Sequence, residues 1–295
     1  MLEIKLILCP IDFSEFSVRS YRYALSVAAH YRAKLVAQHI VELSRYPYAD
    51  YGACEGDYAA FAQALHKGGE QQLREFMKNH THDAVWPELV VHQGTAPDCI
   101  LAFAQGRKAD LIVMGTHGRR GYDRLVLGSV TNRVMRKTPC PVLAICNPSH
   151  ESAVAAGESH AHHLNRILFC TDFSEHSELA LNYAISATEE YDAELTLLHV
   201  VEEASSQAKL EEAIATAAER LDKLIPQERS KALKLKTAVR IGKPYQQIIQ
   251  LALEAQIDMV TMGVRGRGAL DLAVFGSTTY RVLQLGPCPV LAVHV

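Results

Sequence analysis

The chain has 295 residues, 48% hydrophobic and 21% charged, with a formal net charge of −3. That balance suits roughly two soluble domains with real cores and excludes a global basic field for nucleic acid. No apolar run is long enough to cross a membrane, and the seven cysteines include no CxxC spacing, so buried, reduced thiols in a cytoplasmic protein are expected rather than disulfides or a zinc framework.

The opening MLEIKLILCPIDFSE has an early acidic residue and no small-residue cleavage site, which predicts a first strand rather than a signal peptide. Lys5–Pro10, Lys34–Val41, Glu88–His92, Asp110–Gly115 and Cys140–Cys146 then read as strands. They are short and almost continuously apolar, as in a parallel sheet covered on both faces. Val18–Tyr31 and Tyr58–His80 show helical spacing, the second weakened by Gly68-Gly69. Thr95 followed by Pro97 predicts a helix start, and Ser129–Lys137 a fourth helix. The polar, small-residue stretch from Asn147 to Asn165 has no apolar period and reads as a linker. Beyond it the order repeats, with strands near Ile167, Leu195, Leu235, Met259 and Pro289 and a clear second helix over Ala204–Ile225. This alternation predicts an α/β, doubly wound sheet with right-handed crossovers.

The repetition extends to the residues. ILCPIDFSEFSVRSYRYALSVAAHYRAKLVAQHIVE (Ile7–Glu42) aligns without gaps to ILFCTDFSEHSELALNYAISATEEYDAELTLLHVVE (Ile167–Glu202). The unit is far too long for a solenoid repeat, so two tandem domains are expected, residues 1–148 and 164–295, joined by a linker over 149–163.

Each copy carries a glycine loop of spacing G-x-x-G, nine residues, G-S: Gly115, Gly118, Gly128 and Ser129 in the first, Gly263, Gly266, Gly276 and Ser277 in the second. The first glycine ends the fourth strand, and the last precedes a helix that Ser129 or Ser277 could cap. Glycine lets a backbone come close to a ligand, and a helix start offers unpaired N–H groups and a positive dipole end, so the combination suits phosphate. Arg119, Arg120 and Arg124, or Arg265 and Arg267, add positive charge. A turn built only for packing is the competing reading, weakened by the second copy. Asp12 and Asp172 directly follow the first strands. With strand order 3-2-1-4-5, the crevice beyond the strand ends would be bordered by Asp12 and Gly115. The chemistry leaves two roles equally open for each aspartate, a nucleotide contact or a helix-start cap within DFSE.

No GxxxxGK[ST] occurs, no GxGxxG follows the first strand, and PIDFSE lacks the Ser/Thr-rich loop of an FMN site. MGTHGRRGYDRLVLGSV with CPVLAI, preceded by ILCPIDFSE and AQHIVE, resembles the universal stress protein family, over nearly the whole chain as two tandem domains. The loop spacing is that of its ATP-binding branch. The resemblance implies a five-stranded parallel sheet of order 3-2-1-4-5 in each domain, helices on both faces, and ATP, with or without Mg2+, as the ligand. It places Asp12 and Pro10 by adenine or ribose, Ile40 against adenine, and Met114 and Gly115 by the ribose. Gly118, Arg119, Gly128, Ser129 and Val130 would surround the phosphates. Asp172, Val200, Met262, Gly263, Gly266, Arg267, Gly276, Ser277 and Thr278 would do the same work in the second copy, where Cys170 stands in place of the expected proline and Thr278 in place of valine. The family's last strand pairs across a two-fold, so CPVLAI and CPVLAV would form an intramolecular pseudo-dimer, with further homodimerisation open.

Of fourteen histidines, His160, His162 and His163 cluster in the linker near His150, and His80 and His82 follow a helix, which reads as solvated sequence rather than a metal site. His39 and His199 fall at matching positions inside second strands and read as core or near-core histidines with satisfied hydrogen bonds rather than catalysts. Tyr46–Tyr58, present only in the first copy, reads as a lid near the site or a surface loop, the loop being the default. Three functions stand open: a regulatory stress-response protein binding adenine nucleotide, a slow ATP hydrolase or phosphoryl-transfer enzyme, or a dimerisation module without nucleotide. The enzyme reading lacks a dedicated base beyond Asp123 and Asp271, the repeated acidic residues of the loops.

Overall fold

In the computed structural model, residues 3–43, 55–81, 85–118, 126–146, 164–202, 206–264 and 276–294 are described. The first half runs β1 (Leu6–Ile11), α1 (Glu15–Tyr31), β2 (Lys34–Val41), α2 (Glu55–His80), β3 (Glu88–Gln93), α3 (Ala96–Arg107), β4 (Leu111–Gly115), α4 (Ser129–Lys137) and β5 (Val142–Ile145). The second runs β6 (Arg166–Cys170), α5 (Glu175–Tyr191), β7 (Glu194–Val201), α6 (Gln207–Asp222), a short α7 (Gln227–Ser230), β8 (Lys234–Ile241), α8 (Pro244–Glu254), β9 (Met259–Gly263), α9 (Ser277–Leu285) and β10 (Val290–Val293). Helix α2 passes through Gly68 and Gly69 unbroken, because tertiary packing overrides a propensity cost of about 1 kcal/mol per glycine. Buried Leu73 and Phe76 anchor that helix to the sheet. The helix expected over Ala204–Ile225 is shorter, and Pro226 starts α7 after it.

Each half has the strand order 3-2-1-4-5, and the two join into one ten-stranded sheet, β3-β2-β1-β4-β5-β10-β9-β6-β7-β8. Every pairing within a half is parallel. The join is antiparallel, with Leu291 opposite Leu143 and Val290 opposite Ala144. The pseudo-dimer expected from the last strands is thus a single sheet. Burial rises toward its centre: β5 and β10 are buried throughout, whereas β8, at an edge, has no fully buried residue and exposes Lys234 and Lys236. Charge on an edge strand discourages further pairing.

Helices α1, α2, α5 and α6 cover one face, where Tyr21, Leu25, Leu73, Leu181 and Leu221 pack on Ile7, Phe169 and Leu195. Helices α3, α4, α8 and α9 cover the other, with Ile100, Met135, Ile248 and Leu283 against Leu8, Ile112 and Val260. Both cores draw on both halves. His30 and Glu190, at equivalent positions of the repeat, meet across the join at 3.1 Å, and the His30 ring stacks on Tyr191 at 4.2 Å. Cys9, Cys140, Cys146, Cys170 and Cys288 are buried free thiols. Burial pushes Cys140 up to about 11 and Cys9 to about 12, which makes them poor nucleophiles.

Because Leu143 and Leu291 are buried opposite each other at the join, Leu291→Ala should cost ~2–3 kcal/mol. The double variant with Leu143→Ala should deviate from additivity by at least ~0.5 kcal/mol, since the two share one packing site. Urea unfolding of the four proteins checks both, and strict additivity would place the leucines in independent cores.

Candidate functional site

Strands β1 and β4 lie side by side, as do β6 and β9, and their carboxyl ends open where the winding reverses. Beyond each first strand comes an aspartate followed by a phenylalanine held in the left-handed region, Phe13 at φ 63° and Phe173 at φ 60°. A bulky residue there is strained, so the turn must be held by its neighbours. Asp12 Oδ1 accepts from the Ser14 amide at 3.0 Å and the Ser14 hydroxyl at 2.6 Å, and Asp172 Oδ1 does the same with Ser174 at 3.1 and 2.6 Å. Ser14 and Ser174, not the aspartates, are the N-caps of α1 and α5, accepting from the amides of Ser17 and Ser177. The aspartates brace those caps through Oδ1. His39 Nδ1 lies 2.8 Å from the Ile11 carbonyl and His199 Nδ1 2.8 Å from the Thr171 carbonyl, and both rings pack on the strained phenylalanines. Both histidines are hydrogen-bonded as expected, His39 buried and His199 half-buried.

The glycine loops begin and end alike in both halves. The Gly128 amide donates to the Thr116 carbonyl at 2.8 Å and the Gly276 amide to the Val264 carbonyl at 3.1 Å, closing each loop at its neck. Thr131 and Thr279 donate their hydroxyls to the carbonyls of Gly115 and Gly263 at 2.8 and 3.0 Å, tying the helix start to the strand end. A Cβ on Gly118 would lie 2.6 Å from Asp12 Oδ2, so loop and aspartate touch because residue 118 has no side chain. A Cβ on Gly263 would lie 2.9 Å from the His176 carbonyl, where α5 begins.

The capping role expected for Ser129 and Ser277 is not observed. Gly128 and Gly276 are the N-caps of α4 and α9, without a side-chain cap bond, and the two serines are exposed first residues of their helices. The reason is register: each glycine carbonyl already accepts the first helical bond, from Asn132 and Tyr280 at 2.9 Å. A helix start without a capping side chain leaves its first amides open to an anion.

In the second half a cavity of about 940 Å³ opens at this crevice. Cys170, Asp172, Val200, Met262, Gly263, Gly276, Ser277 and Thr278 all line it. The volume falls within the range of small-ligand sites, about 300–1,000 Å³. Its first-half counterparts occupy equivalent places: Pro10 in β1, Ile40 in β2, Met114 and Gly115 at the end of β4, Gly118 against Asp12, and Gly128, Ser129 and Val130 at the α4 start. Arg119, Arg120, Asp123, Arg124, Arg265, Gly266, Arg267 and Asp271 lie outside the described residues, as do the 149–163 linker, His82, His150 and most of the Tyr46–Tyr58 insertion. Among the described residues no group of three or more His, Cys, Asp or Glu could hold a metal, and no helix is long and apolar enough to cross a membrane.

Sequence reading missed the helical wall of this cavity. Lys209, Glu212, Thr216 and Arg220 line it from one face of α6, at three- and four-residue spacing. The Arg220 guanidinium sits 3.9 Å over the Phe173 ring, a cation–π contact. The polar stripe was visible in sequence, but its target depends on the left-handed turn at Phe173. In the first half Phe13 meets Phe76 instead, with centroids 5.8 Å apart. His117, in the first loop, is 8% exposed, with Nδ1 3.0 Å from Thr116 Oγ1. Burial lowers its pKa below the usual 6.5, so the stability of the fold with a neutral ring is fully present above that pH and is lost as pH falls through the lowered value.

A family model described as "Universal stress protein family" matches residues 3–145 and 163–294. A universal stress protein of Methanocaldococcus jannaschii is 33% identical over 147 residues, 50% of this chain and 85% of the relative. A universal stress protein of Mycolicibacterium smegmatis is 26% identical over 306 residues, 98% of this chain and 96% of the relative. The crystal structure of a universal stress protein from Archaeoglobus fulgidus shares the fold at 20% identity, covering 98% of this chain and 96% of that one with a TM-score of 0.65.

The contact between Gly118 and Asp12 predicts opposite effects for two alanine substitutions. Gly118→Ala must push aside an aspartate pinned by Ser14 and should lose ~1–3 kcal/mol. Gly68→Ala, exposed in α2 with nothing within 4 Å of a new Cβ, should gain ~0.5–1 kcal/mol. Thermal unfolding of both variants measures this, and a neutral Gly118→Ala would remove the contact from the account.

Proposed function

The chain belongs to the universal stress protein family, and from that premise we propose that it is a cytoplasmic regulatory protein that binds ATP at the crevice of one or both halves. The observation that carries the reading is the second-half cavity, which Asp172, Met262, Gly263, Gly276 and Ser277 line together. Those residues fit the nucleotide's parts. The uncapped start of α9 suits a phosphate tail, and the apolar Val200 and Met262 suit a base. Asp172, whose Oδ1 braces the Ser174 cap, suits a ribose hydroxyl. In the first half Asp12, Gly118, Gly128, Ser129 and Val130 have the same roles, with Pro10, Ile40, Met114 and Gly115 around base and ribose. The family resemblance assigns Arg119, Gly266, Arg267 and Thr278 to the phosphate environment as well.

Binding would shift the affinity for a protein partner by as much as the nucleotide favours one state of the chain over another. We assign no catalytic residue. Bound Mg2+ would be held by the phosphates and water.

ATP added to ligand-free protein should raise its stability by ~2.7 kcal/mol per occupied site at a hundredfold excess over Kd, with little effect from GTP. Gly118→Val and Gly266→Val, singly and together, should remove the gain one half at a time. Melting curves unmoved by ATP would contradict the proposal.

A further inference from the structure

Gln38, in β2, is a fully buried amide at 0% exposure. Its Nε2 donates to the Cys99 carbonyl at 3.3 Å and lies 3.0 Å from His92 Nδ1. The carbonyl can only accept, which fixes the end of the amide that faces it. The second Nε2 hydrogen then goes to His92 Nδ1, so His92 carries its own proton on Nε2. Both Gln38 donors are used, while Oε1 is a buried acceptor without a partner among the described residues. Such an acceptor is costly to leave unmade.

Its position ties it to the crevice. Gln38 pairs in register with Pro10. Val36 and Ile40, two residues either side, belong to the core on the α3 face, so the two-residue period puts Gln38 on that face as well. The equivalent residue in the second half is Leu198, paired with Cys170 as Gln38 is with Pro10. Leu198 is 1% exposed and still lines the second-half cavity, so burial of this degree is compatible with ligand contact. Ile248, the counterpart of Ile100 next to Cys99, lines the same cavity.

We propose that Gln38 reads a hydrogen-bond donor on the ligand of the first half, and that the second half, with Leu198 in its place, does not. The two crevices therefore differ in selectivity at this position: the first offers the base an acceptor, the second an apolar side chain. The proposal rests on the nucleotide reading above, under which the donor is the 6-amino group, the one N–H donor on an adenine base. His92 and the Cys99 carbonyl act as positioning groups that hold the amide with its oxygen toward the base.

Calorimetric titration of the full chain with ATP and with purine riboside triphosphate, which lacks the 6-amino group, tests this. Two classes of site are expected, one losing roughly tenfold in affinity for the deaminated analogue and the other unchanged. Gln38→Leu should still bind ATP at both sites but retain only the indifferent class, and Gln38→Met provides the same comparison if the leucine variant does not fold. ATP bound at both sites with no discrimination in the unaltered protein would overturn the proposal, as would discrimination that persists in Gln38→Leu; either leaves Gln38 a structural amide satisfied by water. Absence of binding by either nucleotide would instead remove the crevice reading itself, and this proposal with it.

Discussion

The parallel pairing of β1 with β4, and of β6 with β9, is the constraint on which the rest depends. It sets the end of the first strand beside the end of the fourth, while the helices that follow them leave toward opposite faces. A crevice opens where they part, and two backbone devices meet in it. One is the aspartate turn, held left-handed at Phe13 and Phe173 and braced by His39 and His199. The other is the glycine loop, closed at its neck and ending in an uncapped helix start. Open helix amides and a carboxylate on facing walls complement a ligand with an anionic tail and a hydrogen-bonding head.

The join of the halves is a different kind of constraint. An antiparallel β5–β10 pair turns two five-stranded sheets into one, and both hydrophobic layers run through it. Fusion in one chain also lets equivalent positions diverge. His30 and Glu190 meet as an unlike pair, where an exact two-fold would set like against like. The crevices have diverged as well: Arg220 stacks on Phe173 in the second half, Phe76 meets Phe13 in the first, and Gln38 stands where the second half has Leu198.

Much of this was legible in sequence because the repeat displays it twice. Near-continuous apolar runs located the strands to within a residue or two, since strands buried on both faces leave no room for polar alternation. The site residues of the second half, read from glycine spacing and from the resemblance, line one cavity wherever they are described. What the sequence did not disclose depends on geometry across elements. Ser129 and Ser277 look like caps next to a glycine, but the hydrogen-bond register makes the glycine the cap. Asp12 looks like either a cap or a ligand, and it braces a cap through one oxygen while the other faces Gly118. Arg220 and Gln38 were invisible because nothing local says which helix face or strand face borders the crevice.

Under the proposed function, the first amides of α4 and α9 hold a nucleotide's phosphates. Amide chemical shifts recorded as ATP is added to isotopically labelled, ligand-free protein test it most directly. The largest shifts are expected on Gly128–Val130 and Gly276–Thr278, with smaller ones along the Asp12 and Asp172 turns. Shifts confined to surfaces away from these two helix starts, or none at saturating ATP, would contradict it.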